Sequence, residues 1–325
     1  MQPRILTLPA VTLPNDGEAE IRIPTGEAIV AAQVHITAAF SSSNDVPVPH
    51  EDGAAAFIRS VSLQPSGPAH PISNISGFAL ARIAEYDQGG PLAIDDLSPV
   101  QNDDGTLELV LPIRFCAPGS RSPLSWLWDP RGLAEQRLII RTRAIDDIVG
   151  TTTETFDSAS ATVSLHTIMG VPPMGSKLPN GERLQWFERR LVQFERVISG
   201  SGPVQPITLK RPGWLRRLWI IARDDAPPTG DRSDDIIDRI TLRRDSNDVI
   251  VTEFPWMNAR ELTSLVRDVD LGLGVAVVDL DPENLVDSES FLISEAIDAL
   301  DLELEALAAG HVTVVAEYTV IRSEG

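Results

Sequence analysis

The sequence predicts an all-β chain built from two tandem copies of one domain, and three observations carry that reading. The first is repetition: Phe57–Ile83 matches Ile236–Leu262 at a constant shift of 179 residues, with no gap. The second is period. Val61 and Leu63, and again Ile240 and Leu242, are apolar residues two apart, the spacing of a half-buried strand. The third is turn chemistry, with Pro 25 and Gly 22 dividing the chain into short segments, as all-β domains require. Gly170–Gly181, GVPPMGSKLPNG, ends regular structure. The domains are therefore set at 1–172 and 182–325, with a linker at 173–181.

Each repeat reads as strand, turn, short strand and helix. FIRSVSL opens the first and IIDRITL the second. The turns are Pro65-Ser66-Gly67-Pro68 and Asp245-Ser246-Asn247-Asp248, followed by Ile72 and Ile75 or by Ile250, Val251 and Phe254. The first helix is placed at Gly77–Tyr86, and the second helical run reaches Leu262.

Upstream, a shift of 186 carries Ile5 to Leu191, Val11 to Val197, and Ile21 with Ile23 to Ile207 with Leu209. Strands are expected at Ile5–Leu13, Ala19–Ile23 and Ile29–Phe40, punctuated by turns at Asn15-Asp16-Gly17 and Pro24-Thr25-Gly26. Downstream, Thr106–Phe115 alternates well, and its Pro112 marks an edge or a bulge. Gln136–Ile145 and Ala161–Ile168 complete the first half. Val275–Leu280 and Val312–Ile321 do so in the second, with Leu302 and Leu304 alternating before Gly310. Glu182–Ile198 is ambiguous. Leu184, Phe187, Leu191, Phe194 and Ile198 keep a helical 3,4,3,4 spacing, whereas the repeat makes Leu191–Val197 a strand; the strand is favoured there and Leu184–Phe187 stays open.

A net charge of −20 argues against general nucleic-acid binding. The charge is uneven, with ten basic residues against three acidic ones between Lys177 and Arg223. Either those arginines decorate solvent-facing strand positions, or the segment lies against a neighbour's acidic surface or lipid headgroups. One cysteine, Cys116, excludes an intramolecular disulfide. No run approaches about 18 apolar residues, the length that would span a membrane. No secretory signal is expected at MQPRILTLPA.

Catalytic and metal chemistry finds no pattern. His35, His50, His70, His166 and His311 are scattered without the paired spacing of metal ligands. Gly200-Ser201-Gly202 lacks the spacing of a nucleophile elbow, and Leu271-Gly272-Leu273-Gly274 reads as a turn rather than a dinucleotide site. Asp224, Asp225, Asp231, Asp234, Asp235 and Asp238 could supply oxygens to Ca²⁺, but without the loop spacing of the known calcium motif; a solvated loop is the plainer reading, and no cofactor is expected.

Two tandem β-domains, each with a strand–turn–helix insertion and no catalytic constellation, resemble the double jelly-roll major capsid proteins of tailless icosahedral phages with an internal membrane. FIRSVSLQPSGPAHPISNISGFALARIAEYD and GPVQPITLKRPGWLRRLWII are the most similar pieces. The resemblance implies two eight-stranded jelly-roll sandwiches, homotrimers with a pseudo-hexagonal outline, and a structural role without enzyme activity in the capsid of a virion made in bacteria. It implies as partners other copies of the chain, vertex and minor capsid proteins and membrane lipids, and no sequence-specific nucleic-acid contact. Arg189, Arg190, Arg216 and Arg217 then become candidate contacts on the inner face or between subunits. The rival reading is a two-domain carbohydrate-binding β-sandwich or glycosidase, with Trp126, Trp128, Trp214 and Trp256 as sugar platforms. A tail or spike subunit is a third.

Overall fold

The computed structural model of the protein describes residues 2–42, 47–65, 71–115, 127–131, 133–150, 154–172, 186–209, 213–227, 230–244, 249–280, 292–293 and 300–322. The chain forms two compact units. One comprises Met1–Ala84, Pro91–Arg190 and Ile321–Gly325; the other comprises Glu85–Gly90 and Leu191–Val320. The division falls at Arg190, and the expected linker 173–181 lies outside the described residues.

In the first unit the strands are β1 (Gln2–Thr7), β2 (Val11–Thr12), β3 (Glu18–Arg22), β4 (Ala28–Ser42), β5 (Val48–Pro49), β6 (Ile58–Pro65) and β7 (Ile72–Ile75). Helix α1 (Gly77–Gln88) follows, then β8 (Asp95–Ser98), β9 (Asp104–Arg114), β10 (Gln136–Thr142), β11 (Val149–Gly150) and β12 (Glu154–Met169). One sheet runs β1-β12-β4-β9-β8 and a second runs β7-β6-β10-β3, all antiparallel. The strands alternate as their period predicts: on β4, Val34 and Ile36 are buried, while Gln33, His35 and Thr37 face solvent. Pro112 is tolerated because β8 pairs with β9 only from Thr106 to Leu109, leaving that edge free beside the proline.

The second unit continues with β13 (Trp186–Ile198), which begins in the first unit, then β14 (Gly202–Pro203), β15 (Ile207–Leu209), β16 (Trp214–Arg223), β17 (Ile237–Arg244) and β18 (Val249–Pro255). Helix α2 (Trp256–Arg267), β19 (Val275–Asp279), β20 (Leu292–Ile293), β21 (Leu300–Ala306) and β22 (Gly310–Arg322) complete it. Its sheets run β13-β22-β16-β19 and β18-β17-β21-β15. Matched strand for strand, this is the order of the first unit: β1, β12, β4 and β9 answer to β13, β22, β16 and β19. The partners β7, β6, β10 and β3 answer to β18, β17, β21 and β15.

The repeat in the sequence is a repeat of elements. A shift of 179 carries Ile58–Pro65 onto Ile237–Arg244, and Gly77–Gln88 onto Trp256–Arg267, so strand and helix limits coincide in both copies. The second core is built by inward residues of both sheets, among them Leu218, Ile220, Ile240, Leu242, Leu302 and Val314. Residues 186–198 are strand, not helix, while 182–185 lie outside the described residues. Leu191 and Val192 are consecutive and both buried, so apolar spacing alone could not identify that strand.

Candidate functional site: buried charge and outer sheet faces

Strand β16 departs from alternation, because after Trp214 every residue to Arg223 is buried. Two of them are Arg216 and Arg217, both with no exposed surface. A β-bulge places them there. Leu215 pairs with Tyr318 and Arg217 with Glu317, leaving Arg216 as the extra residue. Such a bulge re-aims neighbouring side chains, and here both guanidinium groups reach one carboxylate. Arg216 Nη1 donates to Glu317 Oε1 at 3.3 Å, and Arg217 Nη1 lies 3.6 Å from Glu317 Oε2. Arg217 Nε donates to Asp279 Oδ2 at 2.9 Å, and the Tyr86 hydroxyl donates to the same oxygen at 2.8 Å.

The Tyr86 ring lies under the Arg217 guanidinium, 5.7 Å from Cζ to centroid, and meets Trp219 edge to face at 6.2 Å. Burial alone would depress the Arg217 pKa. The carboxylates of Glu317, Asp279 and Asp87 outweigh it and hold the guanidinium firmly charged. Arg217 is thereby a fixed positive charge inside the sheet.

The outer faces of the second sheets are different in kind. In the first unit Arg141 Nε donates to Glu18 at 2.7 Å and Arg137 Nη1 to Glu20 at 2.8 Å, across β10 and β3. In the second, Arg239 Nη1 donates to Glu253 and Arg243 Nε to Glu303, both at 2.8 Å. The pairs of the second unit border a groove of about 430 Å³ that includes Pro203, Val204, Pro206 and Leu304. Both copies thus carry cross-strand arginine–glutamate pairs on the corresponding sheet. Such partly exposed pairs are screened by solvent, so they keep the face wet rather than hold the fold together.

No protein-family model matches the sequence, and no curated protein matches it. Solved structures match along its whole length. The major capsid protein of Sulfolobus turreted icosahedral virus superimposes with a TM-score of 0.76 at 14% identity, covering 98% of this chain and 97% of that one. The major capsid protein P2 of bacteriophage PM2 gives 0.66 at 11% identity over 100% and 99% of the two chains. The Faustovirus major capsid protein gives 0.61 at 8% identity over 100% and 91%. The chain has the double jelly-roll fold of viral major capsid proteins.

Within this double jelly roll several sequence expectations are corrected. Arg189, Arg216 and Arg217 are buried, so they offer no surface to lipid or to a neighbour. Arg190 is mostly covered and bound to Glu188 at 3.2 Å. The physical reason is that two-sided burial of strands requires each arginine to find a partner inside. Arg223 does so by donating to the Gly230 carbonyl at 2.7 Å. Lys177, Arg183, Lys210 and Arg211 lie outside the described residues. The signal for the buried cluster was present in the sequence as a lone glutamate, Glu317, in the apolar run Val312–Ile321.

The sugar platforms also fail where the double jelly roll describes them. Trp128 is buried with its ring 5.2 Å from Phe115, and Trp256 is buried with Nε1 donating to Asp234 at 3.0 Å. Trp214 is partly covered, and Trp126 lies outside the described residues. Asp234 is consumed structurally, since it also accepts from Gly274 N at 2.9 Å and pairs with Arg260. Among the described residues no three potential metal ligands converge. Gly272 and Gly274 have φ of 80° and 67°, as the turn reading of that stretch requires.

Proposed function

We propose that this chain is a structural major capsid protein without enzyme activity, which trimerises into pseudo-hexagonal capsomers that tile an icosahedral virion shell. The observation that carries this reading is whole-chain agreement with a major capsid protein at a TM-score of 0.76, joined to identical strand order in the two units. A duplicated sandwich gives one polypeptide two similar blocks, so three copies present six, and six-cornered units fill a shell with few kinds of contact. Further copies of the trimer, vertex proteins and minor capsid proteins are its proposed partners. A bacterial host and a lipid vesicle inside the shell are the finer parts of the proposal. The host rests on likeness in fold to the bacteriophage PM2 protein, and the vesicle on the sequence resemblance to phages with an internal membrane.

Electron microscopy of particles containing this protein tests the reading. Icosahedral shells with hexagonal capsomers of three chains are expected. Extended filaments would transfer the chain to a tail or spike role. Burial of Trp128 and Trp256 counts against the carbohydrate reading.

A further inference from the structure

Within the second unit, helix α2 covers the end strand of a sheet and leaves a space beside it. Strand β19 stands last in its sheet, next to β16, so the N–H groups of its other edge must be satisfied from elsewhere. Thr263 satisfies one of them. Its hydroxyl oxygen accepts from Val277 N at 2.9 Å and donates to the Ala259 carbonyl at 2.8 Å. Ala259, one turn earlier on the same face of the helix, has only a methyl group to offer. A cavity of about 210 Å³ lies here, walled by Phe254 of β18, Ala259 and Leu262 of α2, and Val277 and Val278 of β19. All five residues belong to the second unit.

The repeat in the sequence accounts for the space. The shift of 179 relates Ala259 to Leu80 of α1, which is buried. The second copy thus has an alanine where the first has a leucine, and a core closes only partly around such a loss. The polar side chains of the wall are Thr263, Asp279 and Tyr86, whose segment Glu85–Gly90 is part of the same unit. Thr263 is committed to the backbone. The Tyr86 hydroxyl gives its one proton to Asp279 at 2.8 Å. An occupant therefore meets acceptors, since a carboxylate in its charged form can only accept. Among the described residues the wall contains no basic side chain.

We infer that this cavity binds one small neutral alcohol, aromatic or short aliphatic, whose hydroxyl donates to the Asp279 carboxylate while its carbon body fills the apolar wall. The size fits. An apolar cavity of about 150 Å³ takes up benzene, so the larger volume here leaves room for a ring and its hydroxyl. The chemistry selects against anions, because a negative charge would face a buried carboxylate with no cation beside it in the wall. Leu262, 42% exposed, stands where the cavity meets solvent and marks the way in.

The site is independent of the capsid reading, and its test uses the full chain with phenol and hexan-1-ol as probes. Phenol is expected to raise the melting temperature saturably, with a Kd on the order of 0.1–1 mM, as suits a ligand of so few atoms. Hexan-1-ol should act in the same way. Benzoate, of similar size but anionic, should bind at least about tenfold more weakly. Ala259→Leu, which introduces the side chain of the first copy, should melt at or above the wild-type temperature and lose the response to phenol. Methyl NMR of the wild type gives a readout that needs no variant. The signals of Leu262, Val277 and Val278 should move saturably with phenol, while those of Leu109 and Leu111 in the first unit stay in place. Absence of saturable shifts at about ten times the expected Kd overturns the site. So does a folded Ala259→Leu that responds as the wild type does, or benzoate binding as tightly as phenol.

Discussion

Glu317 is the one acidic residue of β22, and it serves two guanidinium groups with no exposed surface among the three. Taking charges out of water is costly, and the cost is offset only while every partner is present. Replacing Glu317 with Gln should therefore destabilise the second unit by about 3–5 kcal/mol, the range for breaking a buried pair. Urea denaturation at neutral pH reads this. Because the cluster is sealed from counterions, the loss should be the same at low and high salt.

His311 allows a pH test at the same scale. Burial lowers its pKa; Glu195 at 3.9 Å and Asp225 oppose this without cancelling it, and Arg223 adds to the lowering. A base whose folded pKa is depressed is held neutral, so the unfolded chain takes up the proton first. Its contribution is full above the ordinary histidine value of about 6.5 and declines as pH falls below it. Unfolding midpoints measured from pH 7.5 to 5 should fall, and His311→Gln should flatten that slope.

At the scale of elements, helix α2 ends on Asp268, whose φ of 53° is left-handed and whose N–H bonds to the Ser264 carbonyl at 2.8 Å. Glycine is favoured at such a cap, so Asp268→Gly should raise stability by about 0.5–1 kcal/mol. The reverse holds at Gly274, which enters β19 with φ of 67° and where an added Cβ would lie 2.5 Å from the Ala222 carbonyl oxygen. Gly274→Ala should cost at least about 1–2 kcal/mol, seen as a lowered melting temperature.

These same elements show how much was legible in the sequence. Ile58–Pro65 and Gly77–Gln88 were readable because a one-sided strand alternates and the second copy repeats the spacing. The identity of Trp186–Ile198 was less readable, because a strand partly buried on both faces loses its period. The arginine cluster was misread for another reason. Sequence displays charge but not its partner, and Arg216 finds Glu317 across 101 residues.

On the scale of the whole molecule, a net charge of −20 opposes the gathering of many copies. Screening shortens that repulsion from about 30 Å at 0.01 M salt to about 8 Å at 0.15 M. Association beyond the single chain should therefore strengthen as NaCl is raised over that range, which sedimentation velocity would detect. Buried ion pairs would be untouched by the same change.

The gapless 179-residue offset between the copies has a genetic corollary. Recombination between Ile58 and Ile237 would excise a whole number of codons and join strands β1–β4 to the segment that opens at β17. The shortened product would still hold a complementary set of eight strands in reading order, inward residues facing inward. A crossover at this offset therefore keeps the strand order of one barrel intact.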